Sequence, residues 1–193
     1  MKVGKELQLE RYIYIMNMSD KVKLITPSLE FDQEIMAFRQ EFLEYGGSMD
    51  GCGNLINCET TNEWLKEIDD LAQAETCPDG YVPMTQFICV READKKLVGV
   101  IQVRHYFNDY LEKFGGHIGY SVRPSERKKG YATEMLGLIL PYCKELGLDK
   151  VLVTCLENNE ASRRVIKNNG GVYESTVYEP NRKANIERYW ISL

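Results

Sequence analysis

The fold is decided by the stretch HIGYSVRPSERKKGYA, which runs from His117 to Ala132. Its first six residues, 117–122, have the composition of a strand that stops before Pro124, and its last six, 127–132, lead into a helix-like run at 133–146. A basic, glycine-containing turn at a helix start gathers unpaired backbone N–H groups and the positive end of the helix dipole. Such a turn binds phosphate oxygens, and it indicates a phosphorylated cofactor.

Hydrophobic periodicity on either side of this stretch predicts an α/β chain. Residues 151–156 form a buried-type strand after the helix-like run, and a strand–helix–strand unit forces parallel pairing. Strands at 87–90 and 97–104 flank a polar turn, so we expect them to pair antiparallel. The remaining predicted elements are a strand at 22–25, helices at 28–45, 62–74 and 160–168, and closing strands at 172–178 and 186–191.

Length and composition are those of one soluble globular domain. The chain has 193 residues, of which 44% are hydrophobic and 27% are charged. We expect the domain at residues 20–193, preceded by an N-terminal extension at 1–19 that is disordered or frayed and has no functional role. Its apolar run at 12–16 is too short for a signal peptide or a membrane span, so no membrane partner is expected.

The net charge and the distribution of the cysteines argue against two further classes of protein, those that bind nucleic acid and those that bind a metal. The net charge of −5 argues against general attraction to nucleic acid. The six cysteines are scattered, without a C-x-x-C pair or a nearby histidine, so no zinc or other metal site is predicted. Cys89 and Cys155 fall in apolar runs typical of buried reduced thiols, which predicts a cytoplasmic protein. A homodimer is compatible with the sequence, which does not determine the oligomeric state.

A second motif lies downstream of the basic turn. Asn159-Glu160-Ala161-Ser162 begins a predicted helix that ends at Gly170-Gly171, and Asn159 is a suitable N-cap. A nucleoside-triphosphate site of the P-loop type is disfavoured, because the sequence contains no G-x-x-x-x-G-K-[ST] pattern. The phosphate-binding turn therefore has to be interpreted together with the Asn159 motif.

The two motifs together resemble those of the GNAT superfamily of acyl-CoA-dependent N-acetyltransferases. Residues 127–132 match the pyrophosphate motif (basic or Gln, x, x, Gly, x, Gly or Ala), and Asn159–Ser162 matches the N-x-x-A/S start of the fourth helix. The order of elements over residues 20–193 is similar to that of the family. The amino-acid sequence of residues 115–124 resembles that of poorly characterised bacterial members. The resemblance implies a mixed, partly splayed sheet of six to seven strands flanked by about four helices.

The resemblance also implies acetyl-CoA as co-substrate. The backbone of Tyr120 to Val122 would pair with the pantetheine arm like an added strand, and the N–H of Val122 would polarise the thioester carbonyl. Asn159 would bridge the pantetheine amides, and Ser162 would reach the cofactor. The cofactor-binding residues that the resemblance implies are Tyr120, Val122, Arg127, Lys128, Lys129, Gly130, Tyr131, Ala132, Asn159 and Ser162.

Direct attack of a primary amine in a ternary complex is the implied reaction, and it needs a base because an alkyl amine has a pKa near 10. His117 is the predicted base, since an unperturbed histidine pKa suits the task and its strand runs toward the thioester. A structural histidine is the alternative. Side chains alternate along a strand, so His117 and Tyr120 point to the same cleft only across a bulge. His105 is a second choice.

The general acid departs from the family pattern. The family commonly uses a tyrosine seven residues after the motif asparagine, and here that position is Ile166. Tyr131, Tyr173 or water are the predicted substitutes. The same departure supports an alternative function, a non-catalytic acyl-CoA-binding or regulatory module of the same fold.

The acceptor amine belongs to a small molecule or a peptide that the sequence does not identify. Its pocket is expected among the first two helices, the loop at 46–58 and the final hairpin. Two sets of residues bear on it, with a solvated face or strand packing as the plainer explanation: the acidic Glu41, Glu44 and Asp50, which suggest a cationic acceptor, and the tyrosines Tyr106, Tyr110, Tyr173, Tyr178 and Tyr189.

Overall fold

The computed structural model describes residues 22–193, so the expected extension at 1–19 lies outside the described residues. One mixed sheet of seven strands organises the chain, in the order β1-β2-β3-β4-β5-β7-β6. Its strands are β1 (Val22–Ile25), β2 (Met84–Arg91), β3 (Leu97–Arg104), β4 (Ile118–Val122), β5 (Lys150–Leu156), β6 (Val172–Glu179) and β7 (Ala184–Ser192). Only the β4–β5 pair is parallel, as the strand–helix–strand unit predicts.

Four α-helices in the described chain cover the two faces of the sheet: α1 (Asp32–Tyr45), α2 (Thr61–Asp70), α3 (Tyr131–Glu145) and α4 (Glu160–Asn168). The helices α1 and α2 pack on one face around Trp64 and Phe38, which are fully buried. The helix α3, with Ile166 of α4, packs on the opposite face around Met135 and Leu136. The predicted architecture, a mixed sheet of six to seven strands with about four helices, is confirmed.

Local capping explains where the predicted helix bounds shift. Ser28 makes no side-chain capping bond, and a 3-10 turn at Leu29–Phe31 precedes α1. At α2 the Thr60 hydroxyl accepts the N–H of Glu63, and the Glu63 carboxylate accepts the N–H of Thr60, which completes a capping box. That helix ends at Asp70, four residues before its predicted end at 74.

The sheet opens between β4 and β5. These strands share a single register pair, Ile118 with Val153, whereas β3 and β4 pair at five positions. Beyond Ile118 the edge of β4 is therefore free of β5, and this gap is the predicted splay. Among residues 22–193 no helix is both long and apolar enough to cross a membrane.

Candidate active site

The turn before α3 presents unpaired backbone donors. Gly130, the N-cap of α3, has a left-handed backbone with φ of +91°, and its carbonyl accepts the N–H of Thr133 at 3.0 Å. Within residues 22–193 the N–H groups of Gly130, Tyr131 and Ala132 have no protein partner. A Cβ at Gly130 would meet no atom within 4 Å, so the turn is open to a ligand. This geometry is suited to an anion at a helix N-terminus.

The basic side chains of the turn have separate contacts. Arg127 lies over the rings of Phe42 and Tyr45, with its guanidinium carbon 5.5 and 4.8 Å from their centroids. Lys129 donates to the carboxylate of Glu126 at 2.7 Å, while Lys128 is exposed and has a φ of +65°. Lys128 and Lys129 are both exposed, and of these two predicted phosphate ligands only Lys129 is paired with a carboxylate within residues 22–193.

The buried carboxylate of Glu126 stabilises the turn through ion pairs. Its carboxylate is only 4% exposed and binds Arg91 at 2.8 Å, Lys96 at 2.9 Å and Lys129 at 2.7 Å. Burial opposes the charge, but the bonds from the three cations outweigh it and lower the pKa of Glu126 to about 2. Arg91 also donates to the Tyr131 hydroxyl at 3.0 Å, so the turn and the start of α3 are tied to β2.

We expect Glu126→Gln to destabilise the protein by about 2–4 kcal/mol, because it leaves three clustered cations without their carboxylate. The folded-state pKa lies below the usual value of 4.5, so the stabilisation is fully present above about pH 4.5 and is lost as the pH falls toward 2. Urea unfolding of parent and variant at pH 7 and pH 3 measures both effects. A difference that does not shrink at pH 3 would contradict this role.

The free edge of β4 offers hydrogen-bonding groups to the gap. The N–H of Arg123 donates to the Val98 carbonyl of β3 at 2.9 Å. Backbone groups alternate in direction along a paired strand, so the N–H groups of Tyr120 and Val122 face away from β3, toward the gap. Arg127 Nε reaches the Val122 carbonyl from that side at 3.3 Å, which agrees with this direction.

Tyr120 places its phenol beside the start of α4. The Tyr120 hydroxyl and the Ser162 hydroxyl are 2.8 Å apart, and burial raises the pKa of Tyr120 well above its usual value of 10. Asn159 Oδ1 accepts the N–H of Ser162 at 3.0 Å, so Asn159 is the N-cap of α4. The predicted residues Tyr120, Asn159 and Ser162 thus lie together at one end of the gap.

The side chain at the usual acid position is part of the core. Ile166 is fully buried and packs against Gly171, where an added Cβ would lie 2.4 Å from it. Neither predicted substitute lies at the gap, because the Tyr131 hydroxyl binds Arg91 and the exposed Tyr173 binds Thr176 on the edge strand β6. The phenol that does lie there is Tyr120, which the sequence analysis assigned only a backbone role.

His117 lies at the vertex of the splay, the point where β4 and β5 begin to diverge. Its N–H donates to the Leu152 carbonyl at 2.8 Å, and its Nδ1 accepts the Leu152 N–H at 2.9 Å, so the imidazole pairs with β5 in place of backbone. The ring is 5% exposed and lies 3.9 Å, centroid to centroid, from Phe107. Burial, then the charge of Arg104, lowers the pKa of His117 to about 4. The geometry favours the structural alternative, because Nδ1 is already occupied.

We expect His117→Gln to lower stability by about 1–3 kcal/mol, since the buried Leu152 N–H loses its acceptor. The folded-state pKa of about 4 lies below the ordinary 6.5, so the unfolded chain binds the proton first and stability falls as the pH drops from 6.5 to 4. Thermal unfolding across that range tests both statements, since the variant should lose this pH dependence. An acetyl-transfer rate with a limb near pH 6.5 that the variant abolishes would instead support His117 as base.

His105 and the tyrosines are spread over several sites. His105 Nε2 lies 2.8 Å from the Thr85 hydroxyl, which in turn contacts the Tyr142 hydroxyl at 2.7 Å, so His105 belongs to a polar cluster against α3. Tyr106, Tyr173 and Tyr178 are exposed, and Tyr189 is buried in the core. Of the five tyrosines, Tyr110 lines a large cavity, which lies on the α2 side of the sheet.

This cavity has a volume of about 830 Å³ and lies between α2, β3 and residues 78–82 and 108–111. A loop joins it to β4: Gly51 sits on Gly119, where a Cβ on Gly51 would lie 2.1 Å from the Gly119 carbonyl oxygen. Ser121 donates to the Asp50 carbonyl at 2.6 Å and fixes the same loop. The contact requires glycine at position 51, and it packs the loop that contributes Gly53 to the cavity directly on β4.

The wall of the cavity near β4 is formed by Gln102 and Arg104 of β3. Burial lowers the pKa of Arg104 to about 10, while the negative charge of Asp50 acts in the opposite direction. The sequence analysis missed both β3 residues. Their signal was available, because two polar side chains spaced by two interrupt an otherwise apolar strand.

Comparison with known proteins agrees with this geometry. Residues 23–172 match the family model described as "Acetyltransferase (GNAT) domain". The chain belongs to the GNAT acetyltransferase family. A curated relative, the uncharacterized N-acetyltransferase YnaD of Bacillus subtilis (strain 168), is 36% identical over 75 residues, which cover 38% of this chain and 42% of that protein. The chain thus matches less than half the length of this GNAT relative.

Two solved GNAT structures show the same fold at low sequence identity. The microcin C7 self-immunity acetyltransferase MccE, determined with acetyl-CoA and AMP, has a TM-score of 0.63 at 16% identity and covers 91% of this chain and 94% of its own. The ribosomal-protein-S5-alanine acetyltransferase from Vibrio fischeri has a TM-score of 0.67 at 14% identity, covering 89% and 92%. In residues 22–193 no cluster of three His, Cys, Asp or Glu could hold a metal ion.

Proposed function

We propose that this GNAT protein transfers an acetyl group from acetyl-CoA to a primary amine by direct attack in a ternary complex. The observation that carries the proposal is the combination of the open β4 edge with the unpaired N–H groups of residues 130–132. The first accepts an extended amide-bearing arm like an added strand, and the second accepts a pyrophosphate. Acetyl-CoA contains both groups, and the structural relative MccE was determined with it.

The bound cofactor would run along β4 from the turn toward the vertex. Its pyrophosphate would meet Gly130, Tyr131 and Ala132, with Arg127 and Lys128 supplying positive charge. Its pantetheine amides would pair with the free edge of β4 and reach Asn159 and Ser162 at the start of α4. The cavity is walled by Gln102 and Arg104 of β3, the strand paired with β4, and its position supports a thioester near the vertex. The polarising N–H is then that of Tyr120, two residues nearer the vertex than the predicted Val122.

Proton transfer would use the Tyr120 hydroxyl and water. The amine nitrogen attacks the thioester carbon, the carbon–sulfur bond breaks, and the thiolate takes a proton from the Tyr120 hydroxyl. The Tyr120 phenol is protonated at neutral pH and can donate this proton, while burial makes it a weaker acid than an ordinary tyrosine, so the transfer depends on its position beside the sulfur. The exposed carboxylate of Asp50, which accepts the Ser48 hydroxyl, would attract the ammonium form of the acceptor, and the ammonium proton would leave through water before the attack. Tyr120 regains its proton through the bonded Ser162 hydroxyl.

Acetylation of an amine panel tests the proposal. Amino acids, polyamines, aminoglycosides and peptide N-termini are incubated with acetyl-CoA, and both thiol release and acetylated product are measured. The proposal expects amine-dependent release with a matching acetylated product. Binding of acetyl-CoA without turnover on any amine would overturn the enzymatic assignment.

A non-catalytic acyl-CoA-binding or regulatory module is the second candidate. It is favoured by one observation, the core packing of Ile166 where the family commonly has its tyrosine acid. The binding elements would be unchanged in such a module. The free thiols of all six cysteines fit a reducing compartment, and we propose a cytoplasmic location in either case.

A further inference from the structure

Arg104 carries donors that the protein does not use. Its Nη1 donates to the carbonyls of Gly115 and Gly116 at 3.3 and 3.2 Å. Its Nε and Nη2 have no hydrogen-bond partner among residues 22–193, and Arg104 forms none of the ion pairs in that part of the chain. Nη2 lies 3.5 Å from the position of a Cβ on Gly119, so the unused edge of the guanidinium lies beside the splay.

Gln102 adds a second donor on the same wall. It precedes Arg104 by two residues on β3, so both side chains point to the same face of the sheet. Gln102 is 5% exposed, and its Oε1 accepts the N–H of Gly53 at 3.2 Å. This bond fixes the orientation of the amide and leaves Nε2 without a partner in residues 22–193. Neither this amide nitrogen nor the unused edge of the guanidinium is among the enclosed unpaired atoms of residues 22–193, so both donors are open to a ligand acceptor.

The carboxylates of the cavity wall do not supply that acceptor, because each has a partner elsewhere. Glu63 accepts the N–H of Glu59 at 2.7 Å as part of the capping box of α2. Glu67 accepts the N–H of Asn54 at 2.9 Å, and Asp70 pairs with Lys66 at 2.6 Å. The positive charge of Arg104 is therefore available to an anionic ligand. The negative charge of the nearby Asp50 partly offsets it.

The cavity wall is mixed, with charged side chains along α2 and one apolar section. Leu71, Val82, Met84 and Leu111 are buried residues that line it. The ligand chemistry that fits this wall is therefore an anionic head, able to bridge two parallel N–H groups of a guanidinium, joined to an apolar body. A carboxylate matches the edge formed by Nε and Nη2 in a bidentate manner.

We propose that the acceptor is an amine that carries a carboxylate, of the α-amino-acid type with an apolar side chain. Its carboxylate would bind Nε and Nη2 of Arg104 and the amide of Gln102, and its side chain would lie against Leu71, Val82 and Met84. The α-amine, one carbon away from the carboxylate, would then point from Arg104 toward the thioester. This substrate class rests on the acetyl-transfer function proposed above.

Two amines that differ in one carboxylate test the proposal, namely phenylalanine and phenethylamine. With the parent protein, acetylation of phenylalanine should have a kcat/KM at least about tenfold above that of phenethylamine. In Arg104→Gln the KM for phenylalanine should rise about tenfold or more, with phenethylamine changed less than about threefold. Arg104→Lys, which keeps the charge, should restore part of the loss. Acetyl-CoA affinity and melting temperature of each variant serve as controls for folding.

The contradicting outcomes are separate from failure of the enzymatic proposal. Equal rates on the two amines in the parent, or an equal loss of kcat on both in Arg104→Gln, would overturn the carboxylate site; the latter would place Arg104 at the thioester instead. If neither amine is acetylated, calorimetric titration of CoA-saturated protein with 3-phenylpropionate decides. Binding that Arg104→Gln weakens about tenfold supports the site, and no binding to the parent overturns it.

Discussion

A Gly130→Asp variant is expected to bind acetyl-CoA about 100-fold more weakly than the parent, a loss of about 2.7 kcal/mol. The new carboxylate would project into the space where the structure leaves the N–H groups of residues 130–132 open, and it would repel the pyrophosphate. It would also occupy the positive end of α3 itself. Isothermal titration of each protein with acetyl-CoA measures the effect.

Gly130→Asn is the matched control, because it has the same shape and the same left-handed backbone requirement without the charge. We expect it to retain acetyl-CoA binding within about tenfold of the parent and to have the same melting temperature as Gly130→Asp. If Gly130→Asp bound acetyl-CoA as well as the parent does, the pyrophosphate would not lie at this turn. If both variants lost binding equally, backbone strain and not charge would be the cause.

The second large effect is expected for Tyr120→Phe, which should lower kcat for acetyl transfer by about 100-fold or more. The change removes only the hydroxyl that faces Ser162, so the backbone edge of β4 and acetyl-CoA affinity should be preserved. Because burial raises the pKa of Tyr120, the parent should show no alkaline limb from this group below pH 10. Steady-state thiol release over pH 6–10 provides both measurements.

Ser162→Ala is the companion variant for Tyr120, since it removes the partner hydroxyl and leaves the phenol. Its kcat should fall less than that of Tyr120→Phe, and acetyl-CoA should still bind, because the cap of α4 depends on the Ser162 backbone N–H. A Tyr120→Phe protein with parental kcat would show that another group, or water, protonates the thiolate.

Much of the proposed acetyl-CoA site could be predicted from the sequence, because the residues that form it lie in short, local motifs. The strand 117–122, the turn at 127–132 and the Asn159 cap are each encoded within a few residues, and the structure brings them to one gap. The strand–helix–strand unit predicted the parallel pair, and β3 and α4 were placed within their observed bounds. What local pattern could not show is the pairing of side chains, such as the ion pair of the exposed Lys129 with the buried carboxylate of Glu126.

The proposed acceptor cavity depends on contacts between residues that are distant in the sequence, and local sequence patterns do not predict such contacts. The loop at the cavity packs on β4 because Gly51 lies on Gly119, 68 positions further along the chain, and neither glycine predicts the other from the sequence. The hydrogen bonding of the His117 ring likewise depends on a distant residue, because the N–H of Leu152 donates to its Nδ1. Arg104 and Gln102 were visible as polar residues in an apolar strand, but their unused donors follow only from the tertiary structure.

The central claim is that the splay between β4 and β5, together with the turn before α3, holds acetyl-CoA. Isothermal titration of the parent protein with acetyl-CoA tests this most directly. The structure predicts one site per chain, a rise in melting temperature with bound cofactor, and no displacement of acetyl-CoA by ATP. No heat of binding and an unchanged melting temperature at several hundred micromolar acetyl-CoA, roughly ten times a typical upper Kd for such a site, would contradict it.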